Sequence, residues 1–226
     1  MYLFTNCKCP GCNKQALSNF DQNGNIVESD GYCLEHHPDP MGVLKQIRTY
    51  IKNHDKIVGL NASGINITET DLKNKKWFGC VFSHCNFSNI HAEGLHARMC
   101  ILDFCTFTDC DFLNSNIQYS SFSGSKFVHV VLTGSDLIHN NFNGTTCYQS
   151  SFDNSDLYNS RFIKAILMNS SFTNCNLKKT VFFSSVREGV SFKLSNTKEA
   201  LIDRSKGGMI GESTSKYDDN QGGLFL

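Results

Sequence analysis

The sequence predicts an all-β repeat fold, and three observations carry that prediction. Every fifth residue from Ala62 to Phe192 marks a centre, and 26 of these 27 centres are apolar and hold 12 of the chain's 18 phenylalanines. A period of five suits neither a helix nor a strand, and self-similarity held this long marks a stacked repeat architecture. The residue two places before each centre is small with few exceptions, as at Cys80, Cys85, Cys100, Cys105, Ser115, Ser120, Ser150, Ser155 and Ser160. A small side chain beside a large one, repeated without drift, places both in an interior too narrow for two large groups. The second residue after each centre is rich in Gly, Asn, Asp and His, which tolerate turns or bond their own backbone. Each unit is therefore a short extended piece plus a corner.

Segments such as Ser150-Ser151-Phe152-Asp153-Asn154, Ser155-Asp156-Leu157-Tyr158-Asn159 and Ser170-Ser171-Phe172-Thr173-Asn174 resemble the pentapeptide-repeat family. The resemblance spans residues 62–192, which is 131 of 226 residues. It implies a right-handed quadrilateral β-helix with four units to a coil, so the 27 units make nearly seven coils. At ~4.8 Å between stacked strands the rod is roughly 32 Å long. Residues 20 apart then stack, giving one column of Ala62, Phe82, Leu102, Phe122, Phe142, Phe162 and Phe182. The column two sides away runs Leu72, Ala92, Phe112, Leu132, Phe152, Phe172 and Phe192. Aromatic stacks on two opposed walls make this interior a core, not a ligand channel.

In chain order, residues 1–38 read as a zinc-binding module. Cys7-Lys8-Cys9-Pro10-Gly11-Cys12 and Gly31-Tyr32-Cys33-Leu34-Glu35-His36-His37 bring soft and imidazole ligands together in a segment too small for its own core. The spacing resembles zinc-knuckle and treble-clef modules. Cys9, Cys12, Cys33 and His36 form the first ligand set, with Cys7 and His37 as alternates. Four protein ligands leave no open position, so the Zn²⁺ is expected to be structural. Residues 39–58 then read as a capping helix, with Asp39 as N-cap, Pro40 at the first helical position and Leu44, Ile47, Tyr50 and Ile51 on one face. Such a helix suits the open end of a β-helix, which exposes unpaired backbone.

The repeat body is expected over 59–193, with two irregular places. Lys75 falls on a small-residue position, which an apolar interior does not accept. Arg187 occupies a centre near the end, where the last coil is expected to fray. Undersized Ala92 and Ala97 are compensated by Ile90 and Leu95 at neighbouring inward positions. In 194–226, Asn196 and Glu199 suggest a capping box for a short helix to about Arg204, followed by a flexible tail ending Leu224-Phe225-Leu226.

Of the 11 cysteines, six lie at inward small positions and Cys147 is a centre, where thiols act as small hydrophobes. With no apolar leader and no long apolar run, the expected location is the reducing cytoplasm. Residues 62–192 carry ten acidic and ten basic side chains, and residues 1–58 carry six of each. No basic field supports nucleic-acid binding, and no membrane contact is indicated. Some relatives implied by the resemblance are acidic rods that imitate duplex DNA and bind type II topoisomerases such as gyrase. A neutral rod lacks that dense negative charge, so regulation or protection of gyrase is the alternative function. No nucleophile–base pair, phosphate loop or paired-carboxylate constellation points to an enzyme. The expectation is a non-enzymatic scaffold that binds protein partners, with a second copy of the chain among the candidates. Its surface is Tyr148, Ile163, Ile166, Met168, Val181 and Phe183, apolar residues that the register turns outward together on the last coils. Leu224, Phe225 and Leu226 are candidates either to cover that patch or to extend it.

Overall fold

Residues 4–27 and 31–203 are described by the computed structural model of the chain. The N-terminal segment is a small hairpin and loop: β1 (Asn19–Phe20) pairs antiparallel with β2 (Ile26–Val27). Asp21 closes the turn between them, its Oδ1 accepting from the backbone N–H groups of Asn23 and Asn25. A single 3₁₀ turn, Leu34–His36, leads to α1 (Pro40–Asn53). Asp39 caps α1 by accepting from the Gly42 N–H at 2.9 Å. Val43, Ile47 and Ile51 are the buried stripe of α1, with Leu44 and Tyr50 partly buried beside it. They share one apolar cluster with the rod, and Arg48 donates to the Asn66 carbonyl at 3.1 Å, so the helix lies against the first coil and covers the open end of the rod.

A unit with one large and one small inward residue can bury both only by turning after each unit. The chain does so in eleven three-residue strands: β3 (Lys56–Val58), β4 (Asn66–Thr68), β5 (Lys76–Phe78), β6 (Asn86–Ser88), β7 (His96–Arg98), β8 (Thr106–Thr108), β9 (Asn116–Gln118), β10 (Lys126–Val128), β11 (Thr146–Tyr148), β12 (Ile166–Met168) and β13 (Val186–Glu188). One wall is a seven-stranded parallel sheet ordered β4-β6-β8-β10-β11-β12-β13, and the opposite wall holds β3-β5-β7-β9. Partners are 20 residues apart throughout, as in Phe127 opposite Phe107 and Cys147. The other two walls carry only single bridges at the same spacing, such as Val81 to Ile101 and Asp111 to Val131. Corners are left-handed: Asn114, Asn154 and Asn174 have φ of 52°, 59° and 56°.

The phenylalanine columns stack face to face and meet edge to face. Phe142 lies 4.8 Å from Phe162, and Phe152 lies 4.6 Å from Phe172, with interplanar angles of 9° and 4°. Phe162 meets Phe172 across the interior at 88°. Offset and edge geometries of this kind are the favoured aromatic arrangements. A third column, Phe87–Phe107–Phe127, stacks on the seven-stranded wall.

The small residues do more than save space. Ser125 Oγ accepts from the Cys105 N–H at 2.9 Å and donates to the Leu102 carbonyl at 2.7 Å. Ser135 and Ser160 repeat this pairing, so hydroxyls satisfy corner backbone that would otherwise be buried unpaired. The buried thiols substitute as donors, Cys85 to the Ala62 carbonyl and Cys105 to the Phe82 carbonyl. All 11 cysteines are free. Burial pushes the Cys147 and Cys175 thiols up to about 12.

Three expectations are corrected. Lys75 does not disturb its coil: it is buried, and its Nζ donates at 3.1 Å to the carbonyls of Lys52 and His54 at the C-terminal end of α1. The cation thereby satisfies orphan carbonyls at the negative end of the helix, which the small-residue rule could not foresee. Arg187 does not fray the last coil, since Val190 and Phe192 beyond it stay buried. Its guanidinium donates to the Asp203 carbonyl, and burial pulls its pKa below the ordinary value while the negative charge of Asp203 opposes that shift. The helix expected near Asn196 is absent among the described residues. Asn196 instead bridges Asn176, its side chain accepts from the Lys198 N–H, and Leu201 bridges Val181. Closing its own turn two residues on leaves Asn196 no N-cap role. Repeat pairing therefore runs from Lys56 to Leu201, wider than 59–193, while 204–226 lie outside the described residues.

Candidate metal centre and interaction surface

The loop from Cys7 to Lys14 closes on itself, the Cys7 N–H donating to the Lys14 carbonyl at 2.8 Å. Inside it the Cys12 N–H reaches back to the Cys9 carbonyl at 3.1 Å, a tight turn that Gly11 permits at φ +79°. Cys7 also bridges Gly31, which brings the second ligand segment alongside. There the 3₁₀ turn folds His36 over Cys33, with His36 Nδ1 at 3.3 Å from Cys33 Sγ. His36 Nδ1 lies 3.6 Å from Cys7 Sγ, and Cys12 Sγ lies 3.9 Å from Cys33 Sγ. The ligand atoms of Cys7, Cys12, Cys33 and His36 all fall within 4.8 Å of one another.

These distances fit a tetrahedral ion. Metal–sulfur bonds of about 2.3 Å set tetrahedral sulfurs about 3.8 Å apart. Cys9, in the first ligand set expected from sequence, lies outside the gathered group, and Cys7, an alternate, lies within it. The Cys9 backbone N–H donates to Cys7 Sγ at 3.5 Å, so Cys9 supports the cluster through its amide. His37 lies outside as well, its Nδ1 accepting from the Asp39 N–H at 3.1 Å. Burial pushes the Cys7 thiol up, but N–H groups of Cys33 and Cys9 and the His36 and Cys33 side chains outweigh it, and the thiol falls to about 6. Burial holds the Cys33 thiol above its ordinary value. Beside the cluster Lys14 and Glu35 form an exposed ion pair, which raises the Lys14 pKa and lowers that of Glu35.

Asn61, almost wholly buried, rivets this module to the rod. Its Nδ2 donates to the Ala16 carbonyl at 2.7 Å, and its backbone exchanges hydrogen bonds with Ser18.

On the last coils, Tyr148 pairs with Met168 and Ile166 with Val186 along the seven-stranded wall. On the adjoining wall Val181 pairs with Leu201, and Ile163 and Phe183 occupy matching positions one coil apart. Tyr148, Ile166 and Phe183 are exposed, whereas Ile163, Met168 and Val181 are half-buried. Val186 and Leu201, also exposed, extend the strip and were missed because only six outward positions were singled out in the sequence. Leu224, Phe225 and Leu226 lie outside the described residues. A second exposed apolar group, Met99, Ile101, Phe104 and Tyr119, was also missed: Met99, Phe104 and Tyr119 sit at corners, where turn chemistry was expected.

The five-residue register, now fixed in space, agrees with a family comparison. The family model described as Pentapeptide repeats matches in eight copies, covering residues 100–134, 115–150, 131–168 and 150–185. Over residues 100–185 the chain therefore matches the model of pentapeptide repeats. No curated protein matches the sequence significantly. Among solved structures, the rod resembles a trypsin-treated variant of QnrB1, a plasmid-mediated fluoroquinolone resistance protein, at 17% identity and a TM-score of 0.49. That likeness covers 64% of this chain and 77% of the other. HetL, a pentapeptide repeat protein involved in heterocyst differentiation regulation from the cyanobacterium Nostoc sp. strain PCC 7120, is 11% identical, with a TM-score of 0.36 and coverage of 71% and 95%. Rfr23 from the cyanobacterium Cyanothece 51142 is 15% identical, with a TM-score of 0.39 and coverage of 62% and 90%. These likenesses are distant, and the fold rests on the pairing register itself.

Proposed function

We propose that the chain is a non-enzymatic protein–protein interaction scaffold of the cytoplasm, with one structural Zn²⁺ held by Cys7, Cys12, Cys33 and His36. The observation that carries this reading is the contrast between a filled interior and an apolar strip on an otherwise polar wall. Phe142, Phe152, Phe162 and Phe172 are fully buried and stacked, so the rod has no internal channel for a substrate. The strip from Tyr148 to Val186, by contrast, exposes apolar surface that folding alone leaves in water, and such patches mark binding surfaces. Four protein ligands around the metal leave no position for a reacting water, which supports a structural role. When bound, the ion supplies cross-linking of two short segments that share no apolar core of their own.

Protein covering the strip is either a second copy or a foreign partner. Analytical ultracentrifugation of the wild type and of a Met168→Asp, Phe183→Asp double variant separates the two. A dimer that the variant turns into a monomer assigns the strip to self-association, and a monomer in both assigns it to another protein. Inhibition of gyrase supercoiling by the purified chain, equal in both proteins, would overturn the role of the strip. No helix among the described residues is long and apolar enough to cross a membrane.

A further inference from the structure

A cleft of about 610 Å³ lies where the metal-binding module meets the rod. Leu34 and Cys33 give it apolar wall, Asn13, Gln15, Ser63 and Ser83 add neutral donors and acceptors, and Lys14 and Glu35 line it already paired with each other. Gly64 and His84 form part of its rod side. The His84 ring stacks on Phe104 at 5.1 Å and 10°, so a residue of the cleft's rod side adjoins an aromatic shoulder.

That shoulder is costly in two ways. Met99, Phe104 and Tyr119 are 62%, 59% and 46% exposed, and all three hold left-handed backbone, at φ of 54°, 57° and 52°. Bulky side chains are unfavourable there, and neither the strain nor the exposure is repaid by core packing. The ring of Phe104 is also held in place. It lies between His84 and the bare backbone of Gly124, where a Cβ would come within 2.7 Å of the ring. Exposed Ile101 lies between these corners and completes the shoulder.

We propose that cleft and shoulder together bind a short segment of a partner protein, with an apolar anchor on Phe104 and uncharged backbone or amide groups in the cleft. The proposal rests on the protein-interaction reading above and assigns that reading a second, separate surface. The chemistry selects the occupant. Neutral amide and hydroxyl linings match peptide groups, whereas the mutual pairing of Lys14 and Glu35 leaves no net charge to hold a phosphate or a carboxylate. The cleft has the volume of a pocket for a few side chains and cannot admit a folded domain. A rigid aromatic held beside it supplies the kind of anchor on which binding energy concentrates.

The test is to pan displayed random short peptides on the zinc-loaded full chain and measure affinities of the enriched sequences. Enriched peptides should share an aromatic or aliphatic anchor flanked by uncharged residues. Phe104→Ser and the cleft-filling Ser83→Trp should each weaken them by about tenfold or more, while Phe104→Tyr should retain binding. The Met168→Asp, Phe183→Asp double variant should bind them as the wild type does. Peptides that bind but are lost only in that double variant would overturn the cleft while leaving the protein-interaction reading intact. No enriched peptide, selection for clustered charge, or equal binding by wild type, Phe104→Ser and Ser83→Trp would each overturn the proposal.

Discussion

Phe152 and Asp153 are adjacent and face opposite ways. Phe152 is buried in its column, so Phe152→Ala should destabilise the rod by ~3–5 kcal/mol. Asp153 faces outward, yet its Oδ1 accepts from Ser171 Oγ at 2.5 Å and from the Thr173 N–H at 2.7 Å on the next coil. Asp153→Ala is therefore expected to cost about 1–2 kcal/mol, since hydrogen bonds to a charged group are worth more than neutral ones. Lys126→Ala, exposed on the seven-stranded wall, should stay within about ±0.5 kcal/mol. Urea denaturation of the three variants checks this order. The inward register was legible from Phe and Ser spacing alone, because period five needs no knowledge of neighbours. The coil-to-coil role of Asp153 was not, because its partners lie 18 and 20 residues away. Lys75 makes the same point: its spacing suggests a defect, and only the packing of α1 turns it into a cap. Lys75→Ala should cost about 2 kcal/mol by leaving the helix carbonyls unpaired. A cost near zero would show that water replaces the ammonium there.

At the scale of elements, the helix and the Cys/His module differ in how far sequence defines them. The start of α1 was fixed locally by Asp39 and Pro40, and the helix begins there. Choosing Cys7 over Cys9 depends on the Cys7–Gly31 bridge, a contact between segments that spacing rules do not contain. The C-terminal helix failed for a related reason, because coil stacking against Asn176 outweighs a local capping pattern. The ligand set has a direct consequence. Protein purified without chelator should carry about one Zn per chain by elemental analysis, and Cys33→Ser should carry almost none. Cys9→Ser should keep its metal. Chelation should expose the Asn61 rivet and open residues 4–38 to protease while the rod stays folded, because the rod's own stacks do not pass through the ion. Loss of metal from Cys9→Ser equal to that from Cys33→Ser would restore Cys9 as a ligand.

For the whole molecule, the rod holds its large centres inside, and the proposed recognition rests on a few outward positions. Ten acidic and ten basic side chains across residues 62–192 give no directional field, so recognition falls to apolar contact. Which positions face outward was readable from the register, but how far neighbours cover each was not, since Ile163, Met168 and Val181 are half-buried. What covers them was not, since a single chain carries no record of its partner. The most direct test is site-specific photo-cross-linking in cells, with benzoylphenylalanine at position 168 in the strip and, as a control, at the exposed corner position 174. A protein adduct, either of two copies or with another chain, should form at 168 and not at 174. Absence of any adduct at 168, or equal adducts at both positions, would contradict a protein-covered strip.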